Sequence, residues 1–209
     1  MQLIENLKWR YATKQFDPNK SISDEQLEYL KDAVQLSVSS YGLQQYKVLI
    51  IENQELRRTL KKASYNQSQI TDASKLMVFC YYTSVDNEAV DSFIERTANA
   101  QGKTFAELQG YGTHIKEAMA KKTTVQVENW AAKQTYLAVS NLLAACAELR
   151  IDACPMEGFD AAEYDRILGL TKQGLSTSVI VPIGYRSTKD ENQHFKKVRR
   201  PKSELFETV

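Results

Sequence analysis

Two periods of apolar residues alternate along the chain and divide it into elements. Residues 2–9 read as a short helix and 10–22 as irregular chain. Ser23-Asp-Glu-Gln26 has capping-box spacing, and behind it Leu27, Leu30, Ala33 and Val34 recur at helical spacing. That helix fades at Ser37-Val-Ser-Ser-Tyr-Gly42, a run of small and polar residues. Tyr46-Lys-Val-Leu-Ile-Ile51 reads as a strand, 53–63 as a helix, and Leu76-Met-Val-Phe-Cys-Tyr-Tyr-Thr83 as a strand that is central because it is apolar on both faces. Residues 86–122 predict two polar helices, the second opening at Thr104 with Glu107 three residues on. From about Thr124 to Arg150 runs the longest helical segment. Val127, Trp130, Ala131, Gln134, Leu137, Ala138, Asn141, Leu142 and Ala145 fall on one seam, with Tyr136, Val139 and Leu143 opposite, so it serves as the spine of the core, a subunit contact, or both. A tight turn is expected at Cys154-Pro-Met-Glu-Gly158, a short helix over 160–168, a third strand over Thr177–Gly184, and then an irregular basic tail.

Strands separated by helices predict an α+β or α/β fold, helix-dominated with a modest sheet. Gly and Pro are scarce (8 and 4), and there is no repeat or linker, so one domain over residues 1–209 is expected. Lys+Arg 27 against Asp+Glu 26 leaves a net charge of +1, which gives no global field for nucleic acid or an acidic membrane; any anion site must be local. The N-terminus lacks the apolar run of a signal peptide, and no stretch has the length of a membrane helix, which points to the cytoplasm. Cys80, Cys146 and Cys154 lie apart in apolar segments and read as buried thiols. With only His114 and His194, neither near a cysteine, no metal site is expected.

Four stretches carry candidate chemistry. Arg10-Tyr-Ala-Thr-Lys14, if extended, puts Arg10, Ala12 and Lys14 on one side, two cations able to grip a phosphate or a polarised carbonyl. Ser37-Val-Ser39-Ser40-Tyr-Gly42-Leu-Gln44 offers hydroxyls and backbone N–H groups at a helix-to-strand turn. In Cys154-Pro155-Met156-Glu157-Gly158 the glycine admits close backbone approach and the proline stiffens it. Finally Lys196, Lys197, Arg199, Arg200 and Lys202 put five cations within seven residues, interrupted by Phe195, Val198 and Pro201, which predicts a strand-like segment with some side chains packed inward. Each stretch alone also fits an ordinary loop, turn or solvated tail. There is no Gly-x-Gly-x-x-Gly turn, complete P-loop or Gly-x-Ser-x-Gly elbow, and nothing pairs Glu128, Glu148, Asp152 and Glu157 for acid–base work.

Taken in order, these stretches resemble the nitroreductase family of flavoenzymes, in its NAD(P)H nitroreductase and flavin reductase branch, over nearly the whole chain. The family's Arg-x-Ser/Ala-x-Lys opening is matched by Arg10, Ala12 and Lys14, followed by Phe16 and Asp17. Its Ser-Pro-Ser-Ser-x-Asn-x-Gln-Pro-Trp segment is matched by residues 37–46, a downstream Phe/Tyr-Asn by Tyr65-Asn66, its Pro-x-Glu-Gly-Phe-Asp signature by Pro155–Asp160, and its closing Lys-x-Arg by Lys197-Val-Arg199. The ordered set is the signal, and Pro-Met-Glu-Gly-Phe-Asp is its most specific member.

The resemblance implies an FMN-binding homodimer of α+β form, helices layered on a mainly antiparallel sheet, with the flavin at the subunit interface. It implies that Arg10, Lys197 and Arg199 hold the FMN phosphate with Ser39 nearby, and that Lys14 lies by the flavin N1 and C2 carbonyl. Asn66 then bonds the pyrimidine edge, Gln44 the ribityl chain or ring, and the backbone N–H groups around Glu157 and Gly158 donate to N5. Tyr11, Ala12, Ser40, Gln69, Pro155 and Met156 complete the expected cofactor contacts, and Tyr41 and Tyr65 shape the substrate mouth. Hydride passes through flavin N5, so no catalytic side chain is expected. NAD(P)H and a nitroaromatic, quinone or flavin acceptor would take turns by ping-pong kinetics, with neither nucleic acid nor membrane as a partner. Gly42 stands where well-known members have Asn, Gln45 where many have Pro, and Gln69 where some have a second Lys. Three rival readings stay open: a flavin-binding protein without turnover, a related flavoenzyme performing dehalogenation or dehydrogenation, and a nucleic-acid-binding helical protein using Lys196–Lys202.

Overall fold

A computed structural model describes residues 2–209. Among these, helix α1 (Gln2–Trp9) precedes α2 (Asp24–Gln35), strand β1 (Tyr46–Ile51), α3 (Gln54–Lys62), α4 (Gln69–Asp72) and β2 (Lys75–Tyr82). There follow α5 (Asn87–Gln101), α6 (Phe105–Ala120), α7 (Thr124–Glu148), β3 (Asp152–Ala153), α8 (Ala161–Leu168), β4 (Leu175–Gly184) and a last short helix α9 (Lys202–Leu205). Single 3₁₀ turns form at Ser40–Gly42, Thr171–Gln173 and Glu191–His194. Capping boxes open α2 at Ser23, α6 at Thr104 and α7 at Thr123, so three helix starts are written in the residues that bound them.

The sheet has the order β1-β2-β4-β3 and is antiparallel throughout. Strand β2 is central, and its alternation feeds two cores. Met77 and Phe79 join Val179, Val181 and Ile183 of β4 against α2 and α7, in a cluster that includes Leu30, Ala138 and Leu142. Leu76, Val78 and Cys80 join Ile180 against α3 and α8, with Leu60 and Tyr164. Helices therefore cover both faces, as the doubly apolar β2 sequence requires. A third cluster, Leu43, Val90, Ile94, Ile115 and Met119, holds α5 against α6 and carries the loop after Gly42.

Three expectations are corrected. Cys154–Gly158 is not a tight turn from its start: β3 and the residues after it run extended along β4. Cys154 N donates to Pro182 O (3.1 Å), and Met156 and Ile180 exchange both backbone bonds. Pro155, which has no N–H to donate, falls between these paired positions, so the ladder does not miss one. The chain turns only beyond Met156, where Phe159 N donates to Glu157 O (2.9 Å).

On α7 the seam is rotated. Leu137 is exposed and Val139 is buried, because the sheet and α2 together cover a broader arc than one seam. In the tail, Phe195 and Val198 are exposed in the single chain, at 71% and 84%, rather than packed inward. The segment is held by polar contacts instead, described below.

Candidate functional site

The site is built where the two ends of the chain meet. Residues 10–16 run extended beside β3: Ala12 bridges Ala153 in parallel sense and Thr13 N donates to Ala153 O (3.4 Å). Along this strip Thr13 and Phe16 are buried, and Lys14 and Gln15 between them are exposed. The strip is then fastened to the chain beyond β4 by Asp17 N to Tyr185 O and Ser187 N to Gln15 O (both 2.8 Å). Under it lies an ion pair that sequence reasoning missed. Asp152, 4% exposed, accepts from the Arg186 backbone N–H (2.8 Å) and its Nε (2.8 Å). The Arg186 guanidinium in turn stacks between the rings of Trp9 (4.3 Å) and Tyr11 (4.5 Å). Both neighbours of Arg10 are thus anchored on one cation, and Arg10 itself is left to face the pocket.

That pocket encloses about 440 Å³, and its walls bring Arg10, Tyr11, Ala12 and Lys14 together with Lys197 and Arg199. Lys197 Nζ donates to the carbonyls of Leu7, Lys8 and Arg10, folding the tail over the C-terminal end of α1. Burial, then the nearby Arg199, pull the Arg10 guanidinium below its ordinary range. Burial, then Arg10 and Arg199, do the same to the Lys197 ammonium. None of Arg10, Lys14, Lys197 and Arg199 forms an ion pair with a carboxylate among the described residues. Crowded, partly desolvated cations that repel one another fit a multiply charged anion such as the phosphate of FMN.

The remaining expected residues form two further groups. Pro155, Met156, Glu157 and Gly158 follow directly from β3, and Gln67 Nε2 donates to Gly158 O (2.8 Å). That bond brings the 65–69 loop beside the Glu157-Gly158 backbone. Tyr65 and Asn66 are consecutive residues of left-handed φ (53° and 58°), a conformation Asn tolerates better than Tyr. The Tyr65 ring is exposed and lines a separate groove between α3 and α8; Gln69 is buried. The loop is fixed from below by Arg57, which is fully buried. Its Nε donates to Ile70 O (2.6 Å), its Nη2 to Ala73 O (2.5 Å) and its Nη1 to Ser74 O (3.2 Å). Glu157 accepts from Tyr136 Oη of α7, and burial, then this bond, raise that phenol to about 12.

Ser39, Ser40, Tyr41 and Gln44 do not reach the cationic pocket of their own chain. Ser39 Oγ accepts from Gln44 N (3.0 Å), Ser40 N donates to Gln134 Oε1 (2.8 Å), and Gln44 Nε2 donates to Gln35 O (2.7 Å). Gln44 and Gly42 line a groove against α5, and Tyr41 packs beside Trp130 and His114. Gly42 has φ 78°, a conformation suited to the Gly found here and to Asn, but not to most side chains.

The nitroreductase family model matches residues 7–185. The chain belongs to the nitroreductase family. The oxygen-insensitive NAD(P)H nitroreductase of Salmonella typhimurium is 32% identical over 96% of this chain and 96% of its own. That of Enterobacter cloacae is 30% identical over 98% of each. Among solved structures, a Bacillus subtilis protein superposes with a TM-score of 0.87 at 21% identity, covering 100% of this chain and 99% of its own. A protein of Exiguobacterium sibiricum, solved in complex with FMN, superposes with a TM-score of 0.83 at 20% identity, covering 99% of this chain and 97% of its own. The matched span ends before Lys197 and Arg199, so the place of the cationic tail rests on the contacts described above.

Sequence reasoning found the pocket's cations but missed the groups behind them, Asp152, Arg186 and Asp190, and those that fix the 65–69 loop, Arg57 and Gln67. Only Asp190 carried a local signal, as an Asp two residues before Asn192 in a polar turn.

Proposed function

We propose that this chain is an FMN-dependent NAD(P)H oxidoreductase of nitroreductase type, acting as a homodimer in the cytoplasm and built as one domain. The observation that carries the reading is the convergence of Arg10, Lys14, Lys197 and Arg199 on one pocket, with no carboxylate partner among the described residues. Family membership and relatives named as NAD(P)H nitroreductases supply the reaction class.

Arg10, Lys197 and Arg199 bind the phosphate through charge-assisted contacts. Lys14, next along the same strip, favours negative charge on the ring. Asn66 and Gln69 present amides from the 65–69 loop, and the backbone N–H groups at Glu157 and Gly158 orient the ring from the turn that follows β3. Bound there, FMN supplies two-electron transfer between a dihydropyridine donor and an acceptor such as a nitroaromatic, quinone or free flavin. Ser39, Ser40 and Gln44, which lie away from the cationic pocket of their own chain, reach the site from a second copy, and Tyr41 and Tyr65 border the acceptor's entry. Exposed apolar side chains on α1 (Leu3, Ile4, Leu7), after α2 (Leu36, Val38) and on α7 (Leu137) support that pairing.

The test is a visible spectrum of the purified protein followed by anaerobic titration with NADH and with NADPH. A yellow protein that bleaches with either donor and recovers with an acceptor, with parallel double-reciprocal lines, is expected. A colourless protein indifferent to added FMN refutes the reading. Bound flavin that neither donor bleaches identifies a flavin carrier without turnover.

A further inference from the structure

We infer that Asp190 is the positioning residue of the phosphate site: one buried carboxylate ties the cationic strip near the N-terminus to the cationic tail near the C-terminus. The inference rests on the FMN reading above.

Asp190 is fully buried, and its two oxygens are divided between the two segments. Oδ2 accepts from Lys14 N (2.7 Å), Tyr11 Oη (2.9 Å) and Gln15 N (3.2 Å), all on the strip that carries Arg10 and Lys14. Oδ1 accepts from Asn192 N (3.1 Å) and Asn192 Nδ2 (2.9 Å), at the start of the 3₁₀ turn from which the chain runs on to Lys197 and Arg199. Backbone pairing between the two ends reaches only as far as Ser187 N to Gln15 O. Beyond that point the carboxylate takes over, and after it Lys197 closes back onto the Leu7, Lys8 and Arg10 carbonyls.

The chemistry of the five partners decides what this residue must be. All five are donors, so both oxygens must be acceptors. An amide in the same place would turn its NH₂ toward two of them or toward three. The strip and the tail would then lose their common anchor while the sheet and both cores stayed untouched. What suffers is the relative placement of Arg10 and Lys14 against Lys197 and Arg199, and only a ligand spanning both sets senses that. FMN carries the phosphate that does; riboflavin has the same ring and ribityl chain without it.

The experiment is therefore a pair of dissociation constants, for FMN and for riboflavin, measured on the full chain by quenching of flavin fluorescence. Wild type should prefer FMN strongly. Asp190→Asn should shrink that preference by about tenfold or more while riboflavin binding stays within about twofold. Asn192→Ala, at a residue that also borders the pocket, removes the side-chain donor to Oδ1, keeps its backbone N–H, and should shrink the preference by about threefold. If Asp190→Asn fails to fold, the second variant decides.

A preference unchanged in a folded variant overturns the inference. So does a parallel weakening of both flavins, which is what general loosening of the fold would produce. Wild type that binds both flavins equally overturns the phosphate assignment itself, a failure distinguishable from the other two because no variant is involved.

Discussion

Replacing Arg57 by methionine should cost about 3–5 kcal/mol of folding stability. Its guanidinium is fully buried, and three of its N–H groups donate to carbonyls of one short stretch, Ile70, Ala73 and Ser74. Each such bond from a charged donor contributes about 1.5–3 kcal/mol net, and a carbonyl left buried without a donor costs about 1–3 kcal/mol. Against this, methionine needs no desolvation, a cost registered by burial lowering the Arg57 pKa despite the opposing charge of Asp72. The opposing contributions leave the net figure in the range found when one partner of a buried polar pair is removed. It is a large share of the roughly 5–15 kcal/mol that a whole domain has. With a urea m-value of about 2.5 kcal/mol/M, 4 kcal/mol moves the midpoint by about 1.5 M. Circular dichroism through a urea series, at matched protein concentration, reads this directly. Arg57→Lys, which keeps the charge but not the three-pronged geometry, should fall between the two. A methionine variant within about 1 kcal/mol of wild type, or a lysine variant as unstable as methionine, would refute the reasoning.

Other consequences are smaller or more local. Gly184→Ala puts a Cβ 2.8 Å from Ser74 N and 3.2 Å from Phe16 Cδ1; it should destabilise by about 1–3 kcal/mol in the same urea assay. Burial alone would raise the Asp190 carboxyl, but the Asn192 side chain, the Lys14 and Gln15 N–H groups and Tyr11 outweigh it and hold it at about 2, below its ordinary 3.8. A depressed carboxylate contributes stability above its unfolded value, so about 2 kcal/mol should be lost as pH falls from about 4 to about 2. The stability gap between wild type and Asp190→Asn should narrow in that window, and a constant gap would count against it. Val198→Glu, at an exposed position lining the cationic pocket, should leave the urea midpoint unchanged yet weaken FMN at least tenfold relative to riboflavin; equal weakening of both would place the phosphate elsewhere.

The parts of the fold legible in the sequence were those decided locally. Capping boxes at Ser23 and Thr104 set helix starts that the structure reproduces, and the doubly apolar run at 76–82 is the central strand with a core on each face. What could not be read depends on partners far along the chain. Asp152 and Ala153 form a strand only because Gly184 and Ile183 lie opposite, and two residues give no period to detect. Leu137 is exposed although it fits a helical seam, since which arc of α7 is covered depends on where α2 and the sheet sit. Of the candidate site, the cations were visible as residue types at motif spacing. The scaffold of the site was not: Arg57 under the 65–69 loop, and Asp152 and Asp190 behind the cations, look like any charged surface residue until the fold buries them.

That scaffold also answers how a chain with a net charge of only +1 makes a cationic pocket. The exposed acids Glu5, Glu28, Glu55 and Glu163 are each paired with a lysine or arginine one turn away on their own helix. Such pairs contribute little to stability, but they remove those carboxylates from competition for the pocket. The buried acids lie behind the pocket: Asp152 holds Arg186 under the strip, and Asp190 holds backbone N–H groups rather than ammonium or guanidinium groups. A carboxylate that accepts from amides fixes geometry without neutralising the cations in front of it. Arg10 and Lys197 consequently remain under repulsion from each other and from Arg199, and partial burial shields that repulsion less from solvent salt than it would be at a fully open surface. Anion affinity here is therefore a product of arrangement rather than of net charge. It follows that the acid placed behind the cations and an acid placed among them should act in opposite directions on the same ligand, although both carry one negative charge.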